Sequence, residues 1–190
     1  MLLEDARALS DEALAARAPR ERHLFGVLVE RYQEKLGRYV RRLGVPRAED
    51  AEDILQNAFV SAFRNLNGFD PSLSFNAWMY RIAHNEAMTF FRKRKARPEG
   101  NAVEDSEAAF ERLFSDDDPM ENAARSHDAA RVSAALRSLP DKDRDVLLLR
   151  YFEERDYKEI SDILRLPMGS VATLIHRAKK KLAKTLAELV

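Results

Sequence analysis

The stretch 156–182 limits most strongly what this chain can fold into. Asp156 and Glu159 have the spacing of a capping box, and apolar residues follow at helical intervals, so a helix is predicted here. Pro167 disfavours a helical conformation at the residue before it, which predicts a break. Ser170 is then placed to cap a second helix. Two helices joined by a tight turn are typical of a helix-turn-helix, whose second helix enters the major groove of DNA.

The second predicted helix has an apolar and a polar face. The apolar face consists of Val171, Ile175, Ala178 and Leu182. The opposite face carries small, hydroxyl, imidazole and guanidinium groups that suit base edges, at Ala172, Thr173, His176 and Arg177. Lysines at positions 179–181 and 184 follow and suit backbone phosphates. The same pattern also fits an ordinary amphipathic helical hairpin with a solvated basic end.

The composition argues against several other functions. The 190 residues include no cysteine, which excludes disulfides and thiolate metal sites and fits a reducing cytoplasm. The histidines lack metal-ligand spacing, and neither a phosphate-binding glycine loop nor a nucleophile motif is found. We therefore expect no enzyme activity, no metal, no cofactor and no small-molecule substrate. No apolar run has the length of a membrane span, and the N-terminus lacks a secretory pattern, so a cytoplasmic protein is expected.

Charge is unevenly distributed, although the net charge is zero. Residues 98–128 contain ten acidic and two basic residues, a net charge of −8. The basic run Arg92–Arg97 precedes this segment, and the lysine cluster ends the chain beyond it. This pattern predicts a first domain at 1–97, a flexible acidic linker at 98–128, and a helix-turn-helix domain at 129–190.

Helical periodicity runs through nearly every segment, and nothing alternates like a β-strand. The predicted fold is therefore all-α, with two small helical domains. The second block is expected to hold four helices, including the helix-turn-helix. The helices expected in the first block are Asp11–Arg17, about Glu21–Leu43, Ala48–Leu66, and a third long helix capped near Ser74 and running to about Arg94.

The third long helix is rich in aromatic residues. Five of the sixteen aromatic residues of the chain lie between Phe75 and Phe91, directly before the basic run. Its apolar residues fall on two sides, which predicts a central place in the bundle. Aromatic rings beside cations also suit single-stranded nucleic acid, because bases stack on the rings while Lys and Arg contact phosphates. The alternative is that most of these rings are core residues.

Five motifs in a fixed order resemble the extracytoplasmic-function (ECF) sigma factors of bacterial RNA polymerase. Each motif alone is weak, but together they cover nearly the whole chain. The segments that carry the resemblance are Leu28–Tyr32, Asp50–Phe59, Phe75–Asn85, Leu139–Arg150 and, in the second helix of the helix-turn-helix, Pro167–Val171 with His176–Lys179.

The resemblance implies that the first block is similar to sigma region 2. That region binds the clamp coiled coil of the β′ subunit and captures and melts the −10 promoter element. The positions that match the polymerase contact are Asp53, Gln56 and Phe59. The positions expected to contact −10 DNA are Phe69, Trp78, Asn85 and Arg92.

The resemblance implies equally that the second block is similar to region 4, which meets the β flap and reads the −35 element. The expected −35 residues are Ser170, Ala172, Thr173, His176, Arg177 and Lys180. A regulating anti-sigma factor is also implied. Three positions depart from the family pattern. Many members carry a basic residue at the position of Ala172, an arginine at that of Leu174 and an aspartate at that of Thr89.

Two other classes of protein compete with this interpretation. A dimeric helix-turn-helix repressor would use its first block for sensing or dimerisation, and would bury some surface equivalent to the Asp53, Gln56 and Phe59 face. An all-α adaptor would show no salt-dependent affinity for DNA.

Overall fold

The computed structural model describes residues 6–96 and 131–188. The predicted acidic linker, 98–128, therefore lies outside the described residues. Within the two described ranges, every regular element is helical and none is a strand. The prediction of an all-α protein with two helical domains is confirmed.

Four α-helices and one short 3₁₀ turn make up residues 11–96 of the N-terminal block. Their bounds agree with the predicted ones to within two residues at each end. Ser74 caps the third long helix as predicted, because its Oγ accepts a hydrogen bond from the Ala77 amide at 3.2 Å. The elements are α1 (Asp11–Arg17), α2 (His23–Arg42), α3 (Ala48–Asn65), the 3₁₀ turn (Leu66–Gly68) and α4 (Phe75–Ala96).

The C-terminal block contains the predicted helix-turn-helix. The capping box is present, with the Glu159 amide donating to Asp156 Oδ1 at 2.7 Å and the Asp156 amide donating to Glu159 Oε2 at 3.2 Å. Arg165 ends the first helix in the left-handed conformation, with φ of 52°. The elements are a helical segment at 131–138, α5 (Asp141–Leu147), a π turn (Leu148–Phe152), α6 (Tyr157–Leu164) and α7 (Met168–Glu188).

The prediction that Ser170 caps the second helix of the motif was wrong. Helix α7 already begins at Met168, two residues before Ser170, and the Ser170 amide donates to the Pro167 carbonyl at 2.8 Å. Proline favours this earlier start because its fixed φ is already helical and because the first turn of a helix does not need its missing N–H. Ser170 is consequently an exposed first-turn residue.

Helix α4 occupies the centre of the molecule, as its two apolar sides predict. It packs against α1, α2 and α3 of its own block and against α6 of the C-terminal block. Phe75, Met79 and Tyr80 are each at most 1% exposed. Because one helix supplies the core of its own block and a surface for the other, the two blocks are packed against each other in this structure.

The capping box gives a stability prediction. Asp156→Ala should lower the free energy of unfolding by about 1 kcal/mol, because the Glu159 amide loses its acceptor. Urea denaturation followed by circular dichroism measures this change. Asp162→Ala is the matched control, since Asp162 is an exposed aspartate of the same helix. Equal stability of the two variants would contradict the capping role.

Candidate nucleic-acid and polymerase interfaces

The polar face of α7 lies in solvent, as the sequence predicts. Val171 and Ala178 are fully buried and Ile175 is 4% exposed, so the apolar face of α7 is held in the core. The set expected to contact −35 DNA is exposed on the other side of the helix. These residues are Ser170, Ala172, Thr173, His176, Arg177 and Lys180.

Arg177 differs from the rest of this set because it is anchored within its own domain. Its Nη2 donates to Asp143 Oδ1 at 3.1 Å, and Lys181 Nζ donates to the other oxygen of the same carboxylate. Asp143 lies in the first turn of α5 and is only 1% exposed, whereas the Arg177 side chain is 59% exposed. The guanidinium therefore stands at the surface expected to contact −35 DNA, with its direction fixed by a buried carboxylate.

The pKa of Asp143 reflects these contacts. Burial by itself raises the pKa, but the hydrogen bonds from Lys181 and Arg177 outweigh it and hold the pKa below the ordinary value of 3.8. Asp143 is therefore ionised at neutral pH. Sequence reasoning missed this residue, and the only available signal was an acidic residue three places after Pro140, in the first turn of a predicted helix.

Asp143→Asn should lower the free energy of unfolding at pH 7 by about 1.5–3 kcal/mol, the contribution of hydrogen bonds to charged groups. A carboxylate whose pKa is depressed by folding stabilises the protein above its unfolded pKa. The difference between wild type and variant should therefore be full at neutral pH and shrink as the pH falls below about 4.

Urea denaturation at several pH values measures this difference. Asp141→Asn is the control, because Asp141 lies in the same turn but its side chain is 77% exposed. A pH-independent difference for Asp143→Asn would contradict the ion-pair explanation.

Helix α3 presents an exposed stripe made of two polar and two apolar residues. Asp53 and Gln56 are exposed, and Val60 and Phe63 continue the stripe at helical spacing with 42% and 40% exposure. In the sequence, Phe63 shares the apolar face of α3 with Ile54 and Ala58, yet the structure leaves Phe63 40% exposed. Its ring centroid lies 5.1 Å from that of Phe25, so the ring is packed on one side.

Phe59, the third residue expected to contact polymerase, is partly buried and packs against the core. It lies beside the exposed stripe. Most of the Phe59 ring therefore packs beneath the exposed stripe and is not part of its surface.

The four residues expected to contact −10 DNA fall into two groups. Phe69 is 8% exposed, and its ring lies 5.3 Å from Phe75 and 5.2 Å from Trp78. Trp78 is partly buried in the same aromatic cluster. Asn85 and Arg92, in contrast, are exposed on α4. The structure thus leaves the polar pair accessible and places the aromatic pair mainly in the core.

Asn85 and Arg92 line a cleft of about 700 Å³ between the two blocks. Lys95 adds a second cation from α4, and the opposite wall carries Arg137 and Arg144 from the C-terminal block. Asp141 is the one acidic residue that lines the cleft within the described residues. The cleft is therefore predominantly basic, which suits an anionic ligand such as a nucleic-acid backbone.

The described helices include none that is long and apolar enough to cross a membrane. No cluster of His, Asp and Glu side chains suited to a metal ion occurs within residues 6–96 and 131–188.

Comparison with known families matches the two blocks separately. The family model "Sigma-70 region 2" matches residues 28–97, and "Sigma-70, region 4" matches residues 129–182. The ECF RNA polymerase sigma factor SigW of Bacillus subtilis is 34% identical over 87% of this chain and 90% of its own length. The RNA polymerase sigma-H factor of Pseudomonas aeruginosa is 33% identical over 95% of both chains.

Solved structures give the same result. The structure of CnrH in complex with the cytosolic domain of CnrY matches with a TM-score of 0.69 and 30% identity, over 94% of this chain and 97% of the other. The sigma factor RpoE in complex with the anti-sigma factor NepR from Bartonella quintana shares the fold, with a TM-score of 0.57 and 21% identity over 84% of this chain and 98% of the other.

The chain belongs to the ECF sigma factors, and it carries both of the regions expected from its sequence. The family consists of transcription regulators rather than enzymes. The chain is therefore an alternative sigma factor that directs promoter-specific initiation of transcription.

Proposed function

We propose that α3 binds core RNA polymerase, that α4 captures the −10 element and that α7 reads the −35 element. The observation that carries this proposal is the separation of exposed faces on three helices. Each helix buries its apolar side in the core and leaves a chemically different surface free. A sigma factor needs separate surfaces for polymerase, for melted DNA and for duplex DNA.

The α3 stripe suits the clamp coiled coil of the polymerase β′ subunit. Asp53 and Gln56 offer a carboxylate and an amide to a basic partner helix, while Val60 and Phe63 offer apolar area. Exposed apolar residues beside polar ones are typical of a protein–protein interface. A dimeric repressor would instead pair such a stripe with a second copy of itself.

Asp53→Arg should weaken binding to core polymerase at least tenfold, because it places a cation against a basic partner. Circular dichroism should show an unchanged fold, since Asp53 is exposed. Fluorescence anisotropy with purified core polymerase measures the affinity. Glu34→Arg makes the same charge change on α2, where the side chain is 82% exposed, and should bind as wild type does. Unchanged binding of Asp53→Arg would move the interface elsewhere.

The exposed part of α4 suits the −10 element. The Asn85 amide both donates and accepts hydrogen bonds, as recognition of a base edge requires. Arg92 lies two turns further along α4, where its guanidinium suits the phosphate backbone of the DNA. Phe69 and Trp78 are better placed to hold α4 and its preceding loop than to stack on a base. Base stacking by either ring would require the aromatic cluster to open.

Asn85→Ala should reduce open-complex formation about tenfold while leaving closed-complex formation nearly unchanged. The lost hydrogen bonds are those to a flipped or unpaired base, which exists only after melting. Permanganate footprinting measures melting, and gel shifts at low temperature measure the closed complex. Gln33→Ala, an exposed amide on α2, is the control. Equal loss of both complexes would indicate a structural role for Asn85.

The exposed face of α7 suits the major groove of the −35 element. Arg177 is the strongest base-reading candidate, because a guanidinium directed by a buried carboxylate has lost little freedom before it binds. Lys180 and Ser170 lie where they suit backbone phosphates. The same C-terminal block is the one expected to meet the β flap of polymerase.

An anti-sigma factor is proposed as the regulating partner. Two similar solved structures are complexes, one of CnrH with the cytosolic domain of CnrY and one of RpoE with the anti-sigma factor NepR. A partner of this kind would cover the exposed α3 or α4 surfaces.

Run-off transcription tests the proposed function as a whole. Purified core polymerase, this protein and a mixed promoter library should give promoter-dependent transcripts only when the protein is present. Transcripts that do not depend on the protein, with no co-migration with core polymerase, would refute the proposal.

A further inference from the structure

Glu153 lies in the C-terminal block, but the hydrogen-bond donors to its carboxylate come from the N-terminal block. It is 6% exposed, yet both oxygens of its carboxylate accept hydrogen bonds across the interface. Arg42 Nη1 of α2 donates to Oε1 at 2.8 Å, and the Tyr80 hydroxyl of α4 donates to Oε2 at 2.7 Å. This carboxylate is thus buried and paired only while the two blocks are together.

The surface of α4 that contacts the C-terminal block is a single stripe along the helix. Asn76, Tyr80 and His84 follow one another at four-residue spacing and therefore lie on one face of the helix. Asn76 Nδ2 donates to Glu159 Oε1 at 3.0 Å, and His84 Nε2 lies 3.9 Å from Asp145 Oδ2. Three successive turns of α4 therefore each contact the C-terminal block through a polar group.

Glu153 makes the strongest of these contacts. Burial and the neighbouring Glu153 carboxylate raise the pKa of Tyr80, so its hydroxyl remains protonated and can donate. Burial, reinforced by Arg144, lowers the pKa of His84 to about 4, so the imidazole is neutral at pH 7. The His84 contact is therefore weaker than the bonds of Arg42 and Tyr80 to a full negative charge.

The local backbone around Glu153 brings further groups to the interface. Helix α5 continues as the π turn Leu148–Phe152, an uncommon element that often marks functional positions. The Arg42 guanidinium lies 5.3 Å from the Phe152 ring, and Arg155 lies 5.0 Å from the ring of Tyr80. Two cation–π contacts thus flank the Glu153 carboxylate, one from each block.

This packing leaves Asn85 exposed to solvent but restricts the space in front of the surface proposed to read the −10 element. Asn85 follows directly after His84 on α4, and it faces a cleft whose far wall is Arg137, Asp141 and Arg144 of the other block. A volume of about 700 Å³ is that of a small-molecule pocket, too small for several nucleotides of a DNA strand. The promoter strand can reach Asn85 in full only if the C-terminal block moves away.

We propose that Glu153, with Arg42 and Tyr80, forms an intramolecular latch that keeps the free sigma factor closed and restricts the access of DNA to its −10 surface. The proposal rests on the proposed role of α4 in −10 recognition. Core polymerase binds the open form, in which the two blocks separate and Glu153 becomes solvated. The apparent affinity for polymerase is then the affinity of the open form multiplied by the fraction of molecules that are open.

The chain suits a direct distance measurement because it contains no native cysteine. Gln33→Cys and Lys184→Cys, both at exposed positions in different blocks, carry two spin labels for pulsed electron paramagnetic resonance. The labelled chain is compared with the same chain carrying Glu153→Gln or Tyr80→Phe. Glu154→Gln is the matched control, since it removes the same charge from the adjacent, exposed residue. Circular dichroism verifies that each variant is folded.

The latch predicts a narrow distance distribution for the labelled parent chain and for Glu154→Gln. Glu153→Gln and Tyr80→Phe should shift it to longer and broader distances, and core polymerase should do the same to the parent chain. Affinity for core polymerase should rise about tenfold in Glu153→Gln, the effect of losing one charge-assisted bond on the closed population.

Two results would overturn the latch: a distance distribution unchanged by both variants, or an opened distribution with unchanged polymerase affinity. Failure of the proposed function would give a different result. The Glu153→Gln variant would open but would not support promoter-dependent transcription with core polymerase.

Discussion

The burial of α4 on two sides is the constraint on which the remaining structure depends. The helix contributes Phe75, Met79 and Ala83 to the core and is packed by helices of both blocks. A helix with apolar residues around most of its circumference cannot be left at a surface without exposing a large apolar area. The position of α4 therefore determines how α2 and α3 pack, and it creates the surface against which α6 lies.

Buried carboxylates fix the positions of several basic side chains. Asp143 holds Arg177 and Lys181, and Glu153 holds Arg42. An ionised carboxylate inside a protein is stable only when it is paired and hydrogen-bonded, so each one fixes the direction of a basic side chain. The pairing at Asp143 orients Arg177, which is proposed to read −35 DNA, whereas the pairing at Glu153 joins the two blocks.

Local signals predicted the helices well, and their failures have physical reasons. The capping box of Asp156 and the two-sided pattern of α4 are encoded by neighbouring residues, so both were predictable. Ser170 was misassigned because Pro167 could start the helix as readily as a serine cap could. The hydrophobicity of Phe63 is visible in the sequence, whereas its 40% exposure depends on which helices pack around α3.

The sequence by itself determined the all-α class, the order of the helices, the apolar and polar faces of α7 and the motifs of an ECF sigma factor. These properties depend on residues within a few turns of one another. Only the tertiary structure decided that Asp143 anchors Arg177, that Phe69 and Trp78 share a core cluster, and that Glu153 pairs with Arg42 and Tyr80. These contacts join residues 9 to 111 positions apart, and periodicity along a single helix carries no information about them.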